Sequence, residues 1–133
     1  MARLQERIAA ASRALLALEE VMAIRKPSRI EQDAAIQRFE FTFETVWKAA
    51  QLLLRDVEGL DTGSPKGVIR DCLQIGLIDE QETVQALKMA DDRNLTVHTY
   101  NEVLADEIYE HIKEYVLFLS KWLSRIAERA ENI

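Results

Sequence analysis

The sequence predicts an all-α fold: an antiparallel, up-and-down bundle of four to five helices that forms one domain over residues 1–133. Apolar residues recur at alternating spacings of three and four, which is the period of a helix packed against other helices. Both ends of the chain are free of helix breakers. Prolines occur only at Pro27 and Pro65, and all four glycines lie between residues 59 and 76. A content of 48% apolar and 30% charged residues is typical of a globular domain.

The first two helices are predicted from continuous apolar stripes. The first stripe covers residues 4–22 and is followed by Pro27. A second helix, from about Arg29 to Val57, begins at a capping box in which Ser28 and Glu31 satisfy each other's backbone N–H groups. Its stripe consists of Phe39, Phe43, Val46, Ala50, Leu53 and Val57. Together these features predict two long helices at the start of the chain.

Two shorter helices are predicted in the middle of the chain. Ser64 caps the first, with Pro65 in the first helical position and Gly76 at the C-terminal end. Its predicted apolar face is Ile69, Cys72 and Leu73. Asp79 caps the next helix, which is expected to end at the polar pair 91–92. The predicted core residues of that helix are Val84, Leu87 and Ala90.

The last predicted helix begins at a capping box formed by Thr99 and Glu102 and continues to the C-terminal end. A heptad-like seam runs along it: Leu104, Ile108, Ile112, Tyr115, Leu119, Trp122 and Ile126. The long seams hold more large apolar groups than one small bundle requires. We therefore expect the protein to form a homodimer.

Charge and cysteine content restrict the function classes. A net charge of −6 argues against broad binding to nucleic acid, which depends on many Lys and Arg contacts to phosphate, so any such contact must be local. The lone Cys72 falls on an apolar helix face and is predicted to be a buried structural thiol. No signal sequence and no apolar run of about 18 residues occurs. We therefore expect a cytoplasmic protein that does not enter a membrane.

The most unusual stretch is residues 91–100, where Arg, Asn, His and Tyr are crowded between two predicted helices. Arg93 supplies a permanent planar cation that suits phosphate, and His98 can transfer a proton near neutral pH. Such a pair is sufficient for metal-independent cleavage of RNA. If Thr99 caps the last helix, His98 and Tyr100 flank a helix N-terminus, which favours an anion.

Each of these residues also has an ordinary structural interpretation. Arg93 can pair with Asp91, Asp92 or a carbonyl group at the helix end, and His98 can be a simple loop residue. Tyr100 can be a half-buried ring with its hydroxyl group at the surface. Considered singly, none of the three residues identifies a site.

A family resemblance favours the functional interpretation. Arg93, four intervening residues and His98, with the polar Asn94 directly after the arginine, resemble the R-x4–6-H signature of HEPN domains, and Tyr100 extends it to the R-x4-H-x-Y form of HepT toxins. Residues 37–48, Gln-Arg-Phe-Glu-Phe-Thr-Phe-Glu-Thr-Val-Trp-Lys, are similar to the R-F-E…F-E…W-K helix of nucleotidyltransferase substrate-binding proteins.

The resemblance implies a dimer in which Arg93 and His98 of both protomers are the catalytic residues of one cleft, with Asn94 among the substrate-binding residues. It also implies that Tyr100 accepts AMP groups from a partner, a separately encoded minimal nucleotidyltransferase, and that this modification blocks the cleft. The expected substrate is RNA or a nucleotide, with no membrane contact.

Further candidate residues lie along the second and last helices. Glu40, Glu44, Trp47 and Gln51 share one flank, where Glu40, Glu44 and Trp47 are candidate substrate-binding residues for a nucleotide base and ribose. The alternative is a solvated carboxylate edge with Trp47 packed beside it. Glu107, His111 and Glu114 share a helical face, but one histidine without a second ligand cluster does not predict a metal site. No metal and no cofactor are expected.

The chain itself does not resemble the transferase, because Gly63-Ser64 is not followed by the Asp-x-Asp pair that would hold metal and triphosphate. The leading hypothesis is a HEPN-type endoribonuclease toxin of a toxin–antitoxin system, controlled by its nucleotidyltransferase partner. One alternative is a non-catalytic subunit that binds nucleotide or substrate for that transferase. The other is a helical interaction protein without a nucleotide site.

Overall fold

A computed structural model describes residues 2–132 and confirms the all-α fold. Its elements are α1 (Ala2–Met22), α2 (Arg29–Glu58), α3 (Pro65–Gln74), α4 (Glu80–Leu95), a 3-10 turn (Thr96–His98) and α5 (Glu102–Glu131). The long helices α1, α2 and α5 pack against one another, and α3 and α4 complete the bundle beside α2 and α5. Among the helices of this described part, none is long and apolar enough to cross a membrane.

Local capping explains where three helices begin, as the sequence predicts. Ser28 and Glu31 form both bonds of the capping box at α2, and Ser64 accepts a hydrogen bond from the backbone N–H of Gly67 at α3. At α4, Asp79 and its N3 residue form a second complete capping box. Gly59 ends α2 with φ 71°, a left-handed conformation that glycine adopts without a Cβ clash.

The predicted seams of α2 and α5 form the centre of the core. Apart from Val57 and Leu104, which are partly buried, every predicted seam residue of these two helices is buried. The rings of Phe39 and Tyr115 stack with centroids 5.6 Å apart and so join α2 to α5. Cys72 is fully buried, as predicted, and burial raises the pKa of its thiol to about 12.

The predicted core face of α4 is wrong at one position, and its predicted end is wrong as well. Val84 is 69% exposed, whereas the buried side chains of α4 are Thr83, Ala86, Met89, Ala90 and Asp92. The helix does not end at Asp92 but continues to Leu95. Asp92 lies inside the helix, where its buried carboxylate is satisfied by hydrogen bonds from side chains of α5.

The predicted capping box at Thr99 is also wrong. The N-cap of α5 is Asn101, whose side chain accepts hydrogen bonds from the backbone N–H groups of Val103 and Leu104 at 3.1 and 3.3 Å. Thr99 instead donates its hydroxyl proton to the carbonyl of Thr96, 3.1 Å away, in the 3-10 turn. Thr99 has φ −75° and ψ 2°, whereas Asn101 has the extended backbone (φ −81°, ψ 109°) that is typical of an N-cap. The stretch predicted as a short loop is therefore mostly helical.

Candidate functional site

Three of the predicted site residues line one open cleft of about 380 Å³. Glu44 reaches it from α2, and Arg93 and Asn94 reach it from the last turn of α4. The first turn of α3 supplies another wall, with Ser64, Pro65 and Lys66, and Phe43 and Ala90 complete the lining. The fold thus brings the two stretches that carry the resemblance, on α2 and α4, to the same surface.

The arginine in this cleft, Arg93, is held only loosely. Its Nε lies 3.7 Å from Oε1 of Glu44, which is within ion-pair range but too far for a hydrogen bond. That Nε is buried, and it has no hydrogen-bond partner among the residues that the structure describes. A buried N–H group without an acceptor is unfavourable. Arg93 also lines the cleft and 25% of its side chain is exposed, so an anionic or carbonyl oxygen entering the cleft can contact this cation.

His98 and Tyr100 form a second, separate pair. Nδ1 of His98 lies 3.2 Å from the hydroxyl oxygen of Tyr100, and the two rings meet edge to face at 5.8 Å. His98 is exposed, and Tyr100 is 82% exposed. Because Asn101 is the cap of α5, both side chains lie just before the helix N-terminus rather than on either side of it.

The two halves of the motif do not meet within one protomer. Between residues 2 and 132, no hydrogen bond or ion pair joins Arg93 to His98, and neither His98 nor Tyr100 lines the Arg93 cleft. Arg93 lies in the last turn of α4, and His98 lies at the end of the 3-10 turn that follows it. Within one protomer, Arg93 thus lines the cleft while His98 pairs with Tyr100 on the surface.

The remaining predicted contacts differ in their accessibility. Asn94 is exposed beside the cleft, and Glu40 lies half-buried one helical turn before Glu44. Trp47 is only 7% exposed, and its Nε1 is buried without a hydrogen-bond partner among the described residues. The indole ring thus belongs to the core and offers little surface to a base. Gln51 donates a hydrogen bond to the carbonyl of Thr62 at 2.8 Å.

Sequence reasoning missed a buried polar cluster directly beside Arg93. Oδ2 of Asp92 accepts hydrogen bonds from the hydroxyl of Tyr115 at 2.6 Å and from Nδ1–H of His111 at 2.7 Å. Burial, followed by the hydrogen bond to Asp92, raises the pKa of Tyr115 well above its usual range, so the phenol remains a donor. The only signal of this cluster in the sequence is the spacing of four residues between its two donors on α5, His111 and Tyr115.

That cluster gives His111 a structural partner, Asp92, other than the two glutamates on its own helical face. A ring nitrogen bonded to a buried carboxylate is oriented by it, and this bond ties α5 to the last turn of α4. Over residues 2–132, no group of three His, Cys, Asp or Glu side chains is arranged to hold a metal ion.

Comparison with known proteins identifies a family. Residues 6–128 match the family described as "Nucleotidyltransferase substrate binding protein like". A Haemophilus influenzae protein named "Probable ribonuclease HepT" is 29% identical over 99 residues. This match covers 71% of the present chain and 66% of that relative, just under two thirds of its length.

Solved structures show the same fold. A protein from Thermus thermophilus superposes with a TM-score of 0.84 at 50% identity, over 87% of this chain and 98% of the other. A Haemophilus influenzae protein, described as having the fold of a substrate binding domain of a nucleotidyltransferase, gives a TM-score of 0.76 at 26% identity, over 90% and 98%. A tri-AMPylated Shewanella oneidensis HEPN toxin in complex with MNT antitoxin gives 0.75 at 20% identity, over 94% and 96%.

Proposed function

The chain belongs to the "Nucleotidyltransferase substrate binding protein like" family, and on that premise we propose that it is the HEPN-type partner of a minimal nucleotidyltransferase. Two relatives support such a partnership. One is described as a substrate binding domain of a nucleotidyltransferase, and the other is a HEPN toxin in complex with its MNT antitoxin. The interaction itself would take place in the cytoplasm.

The proposed activity is metal-independent cleavage of RNA by Arg93 and His98. The observation that carries it is the open cleft lined by Arg93, whose partly exposed guanidinium group forms a long ion pair with Glu44, together with the exposed histidine of the same motif. In such a reaction the 2′-hydroxyl of the ribose attacks phosphorus and the 5′-oxygen leaves. His98 would transfer a proton, and Arg93 would stabilise the negative charge on the phosphorane. The similarity to a protein named as a probable ribonuclease supports this assignment.

A symmetric homodimer would bring the two halves of the motif together. Within a protomer His98 does not line the Arg93 cleft, and we propose that the catalytic site uses Arg93 of one copy and His98 of the other. The exposed apolar residues around the motif, Leu95, Val97, Tyr100 and Val103, support an interface at this end of the bundle. A C2 dimer would place such a patch against its own copy and contain two equivalent sites.

AMP transfer to Tyr100 is the proposed means of silencing. Its phenol is 82% exposed and within hydrogen-bond distance of His98, so a transferase can reach it and the product would lie beside the catalytic histidine. The added phosphate brings negative charge and the adenosine brings bulk, and both compete with an RNA phosphate. Tri-AMPylation of the Shewanella relative supports this proposal.

A non-catalytic role is the alternative, in which the chain binds a nucleotide or substrate for the transferase. One observation favours it. Among residues 2–132, Arg93 forms its ion pair with Glu44, and His98 does not line the cleft that contains this pair. On this alternative, the cleft between α2 and α4 would bind its ligand without breaking a bond.

Cleavage of total RNA by the purified protein separates the two proposals. We expect Arg93→Ala and His98→Ala each to reduce cleavage by about 10²-fold or more, the usual contribution of such groups, while EDTA has no effect. Arg13→Ala, a surface change on α1, serves as the matched control and should retain activity. Cleavage that survives in both motif variants, or that EDTA abolishes, would point to another nuclease. Absence of cleavage in the unmodified dimer would favour the binding role.

A further inference from the structure

A second small pocket, distinct from the Arg93 cleft, is lined mainly by cations. It has a volume of about 90 Å³ and lies between the first turns of α1 and the second half of α2. Four basic side chains surround it: Arg3, Arg7, Lys48 and Arg55. Asp61 is the one carboxylate of its lining. We call this site the basic pocket.

The helical spacing explains why these cations converge. Arg3 and Arg7 are four residues apart on α1, and Lys48 and Arg55 are seven apart on α2, so each pair lies on one face of its helix. The antiparallel packing of α1 on α2 then brings the two faces together. Like charges at such spacings repel each other and do not help either helix to form. Helix formation therefore does not explain the cluster.

The cations of the basic pocket are poorly neutralised. Within residues 2–132, Arg3 and Arg7 form no ion pair with any carboxylate. Lys48 approaches Glu44 only to 3.8 Å, and Arg55 approaches Asp56 only to 3.7 Å, whereas the ion pair of Arg125 with Glu82 is 2.6 Å long. Four cations against one carboxylate in the lining leave a local excess of positive charge in a chain of net charge −6, and such an excess attracts an anion.

The size and the donors of the basic pocket favour a small anion. Its volume of about 90 Å³ is several times the roughly 10–15 Å³ that one water-sized probe occupies, so a phosphate group can enter. Arginine is well suited to this ligand because its planar fork of N–H donors matches two phosphate oxygens. The pocket therefore fits a phosphate group.

One side chain, Glu44, approaches both the basic pocket and the Arg93 cleft. Glu44 places one carboxylate oxygen 3.7 Å from Arg93 and the other 3.8 Å from Lys48. From Glu44 to Arg55, α2 rises by about 16 Å, at about 1.5 Å per residue. That distance corresponds to a few nucleotides of an extended strand. One strand can thus contact both sites.

We propose that the basic pocket binds a backbone phosphate of single-stranded RNA, a few nucleotides away from the phosphate at Arg93. This proposal rests on the proposed function for the identity of the ligand. It adds a binding site on α1 and α2 that positions the strand and takes no part in bond cleavage. A contact confined to this pocket is also compatible with the negative net charge of the chain, because only broad binding to nucleic acid would need many cations over the whole surface.

The proposal is tested by the affinity for a short single-stranded RNA oligonucleotide, measured by fluorescence anisotropy at several salt concentrations. All proteins carry His98→Ala, so that the probe remains intact. The double change Arg3→Gln/Arg7→Gln should weaken binding by about tenfold, the loss of one charge-assisted contact. It should also reduce the slope of log K against log salt by about 0.7, the value for one phosphate on a single strand.

The matched control is Arg13→Gln/Arg25→Gln, which removes the same charge from exposed positions outside the basic pocket. It should bind RNA like the parent protein. Arg55→Gln, a single change on α2, should weaken binding in the same direction, and circular dichroism checks that every variant is folded. This second variant keeps the test valid if the double change unfolds α1.

The outcomes separate this proposal from the proposed function. Equal affinities and equal salt slopes for the basic-pocket variants and the control would overturn the basic pocket, even if the wild type cleaves RNA. A selective loss of affinity in the basic-pocket variants would support it, even if no cleavage is detected and the ribonuclease proposal fails. Failure of the parent protein to bind RNA would overturn it as well.

Discussion

Replacing Asp92 with alanine is expected to destabilise the bundle far more than replacing its neighbour Asp91. Asp92 is 8% exposed and its Oδ2 accepts hydrogen bonds from Tyr115 and His111. Asp91 lies on the surface, with 60% of its side chain exposed, and pairs with Lys66. Each change removes one aspartate carboxylate, and the two positions are adjacent. Their costs in unfolding free energy therefore compare a buried carboxylate with an exposed one.

The magnitude follows from what the substitution leaves behind. Tyr115 is 1% exposed, so its hydroxyl cannot turn to water, and an unsatisfied buried donor costs about 1–3 kcal/mol in addition to the lost bond. His111 has 37% of its side chain exposed and can regain water. We therefore expect Asp92→Ala to lower the free energy of unfolding by about 3 kcal/mol, a large part of a typical value of about 5–15 kcal/mol. Asp91→Ala should cost less than about 1 kcal/mol, as exposed ion pairs do.

Urea denaturation followed by circular dichroism measures both values, and a double-mutant cycle identifies the contact. Tyr115→Phe alone should cost about 1.5 kcal/mol because it removes a bond to a charged acceptor. In the Asp92→Ala background the same change should be nearly neutral, since the hydroxyl it removes has already lost its partner. Equal costs for Asp91→Ala and Asp92→Ala, or additive costs in the cycle, would refute this reasoning.

Three further predictions concern assembly, modification and pH. Sedimentation should report about 31 kDa, twice the 15.3 kDa of one chain, and a strict monomer at micromolar concentration would exclude a shared site. Co-expression with the partner transferase should add about 329 Da per transferred AMP to the intact mass, and Tyr100→Phe should abolish the additions; additions that persist would place the modification elsewhere. The hydrogen bond from Arg125 lowers the pKa of Glu82 below its ordinary 4.5, so this pair stabilises the fold above that pH and loses its effect as the pH falls through the lowered value. Urea unfolding should therefore find Arg125→Gln destabilising near neutral pH and much less so in acid, whereas a cost independent of pH would contradict the ion pair.

Features fixed by neighbouring residues can be predicted from the sequence, and features fixed by distant ones cannot. The capping box of Ser28 and Glu31 and the cap at Asp79 depend on residues three apart, so the pattern itself contains the interaction. Thr99 has the same local pattern, but the carbonyl of Thr96 and the nearby Asn101 compete with it. A local rule cannot decide between neighbours that satisfy it equally well.

The apolar face of α4 shows a different limit. This helix carries few strongly apolar residues, and its buried face includes Thr83, Ala86 and Asp92. Val84 is the larger hydrophobic group, yet the helix turns it to solvent because α2, α3 and α5 set the orientation together. Tertiary packing thus overrides the hydrophobic pattern when that pattern is weak.

For the candidate site, the sequence predicts candidate residues but not their arrangement. The short motif predicts that Arg93 and His98 act together, and the fold adds Glu44 and Asn94 to the Arg93 cleft. The 3-10 turn that separates the motif into two pairs has no clear signature in the sequence. In the sequence, Asp92 resembles a polar residue at a helix end. The partners that satisfy it in the core, His111 and Tyr115, lie 19 and 23 residues away, so the local pattern does not reveal them.

Mixing two inactive variants tests the central claim, that Arg93 of one protomer and His98 of the other complete a catalytic site. Arg93→Ala and His98→Ala are co-expressed with different affinity tags and the heterodimer is purified through both. Random pairing makes half of the dimers heterodimers. In each heterodimer one of the two shared sites keeps both Arg93 and His98, so the unfractionated mixture should recover about a quarter of wild-type cleavage. Purified heterodimer should recover about half. A heterodimer as inactive as either parent would contradict a site shared between protomers.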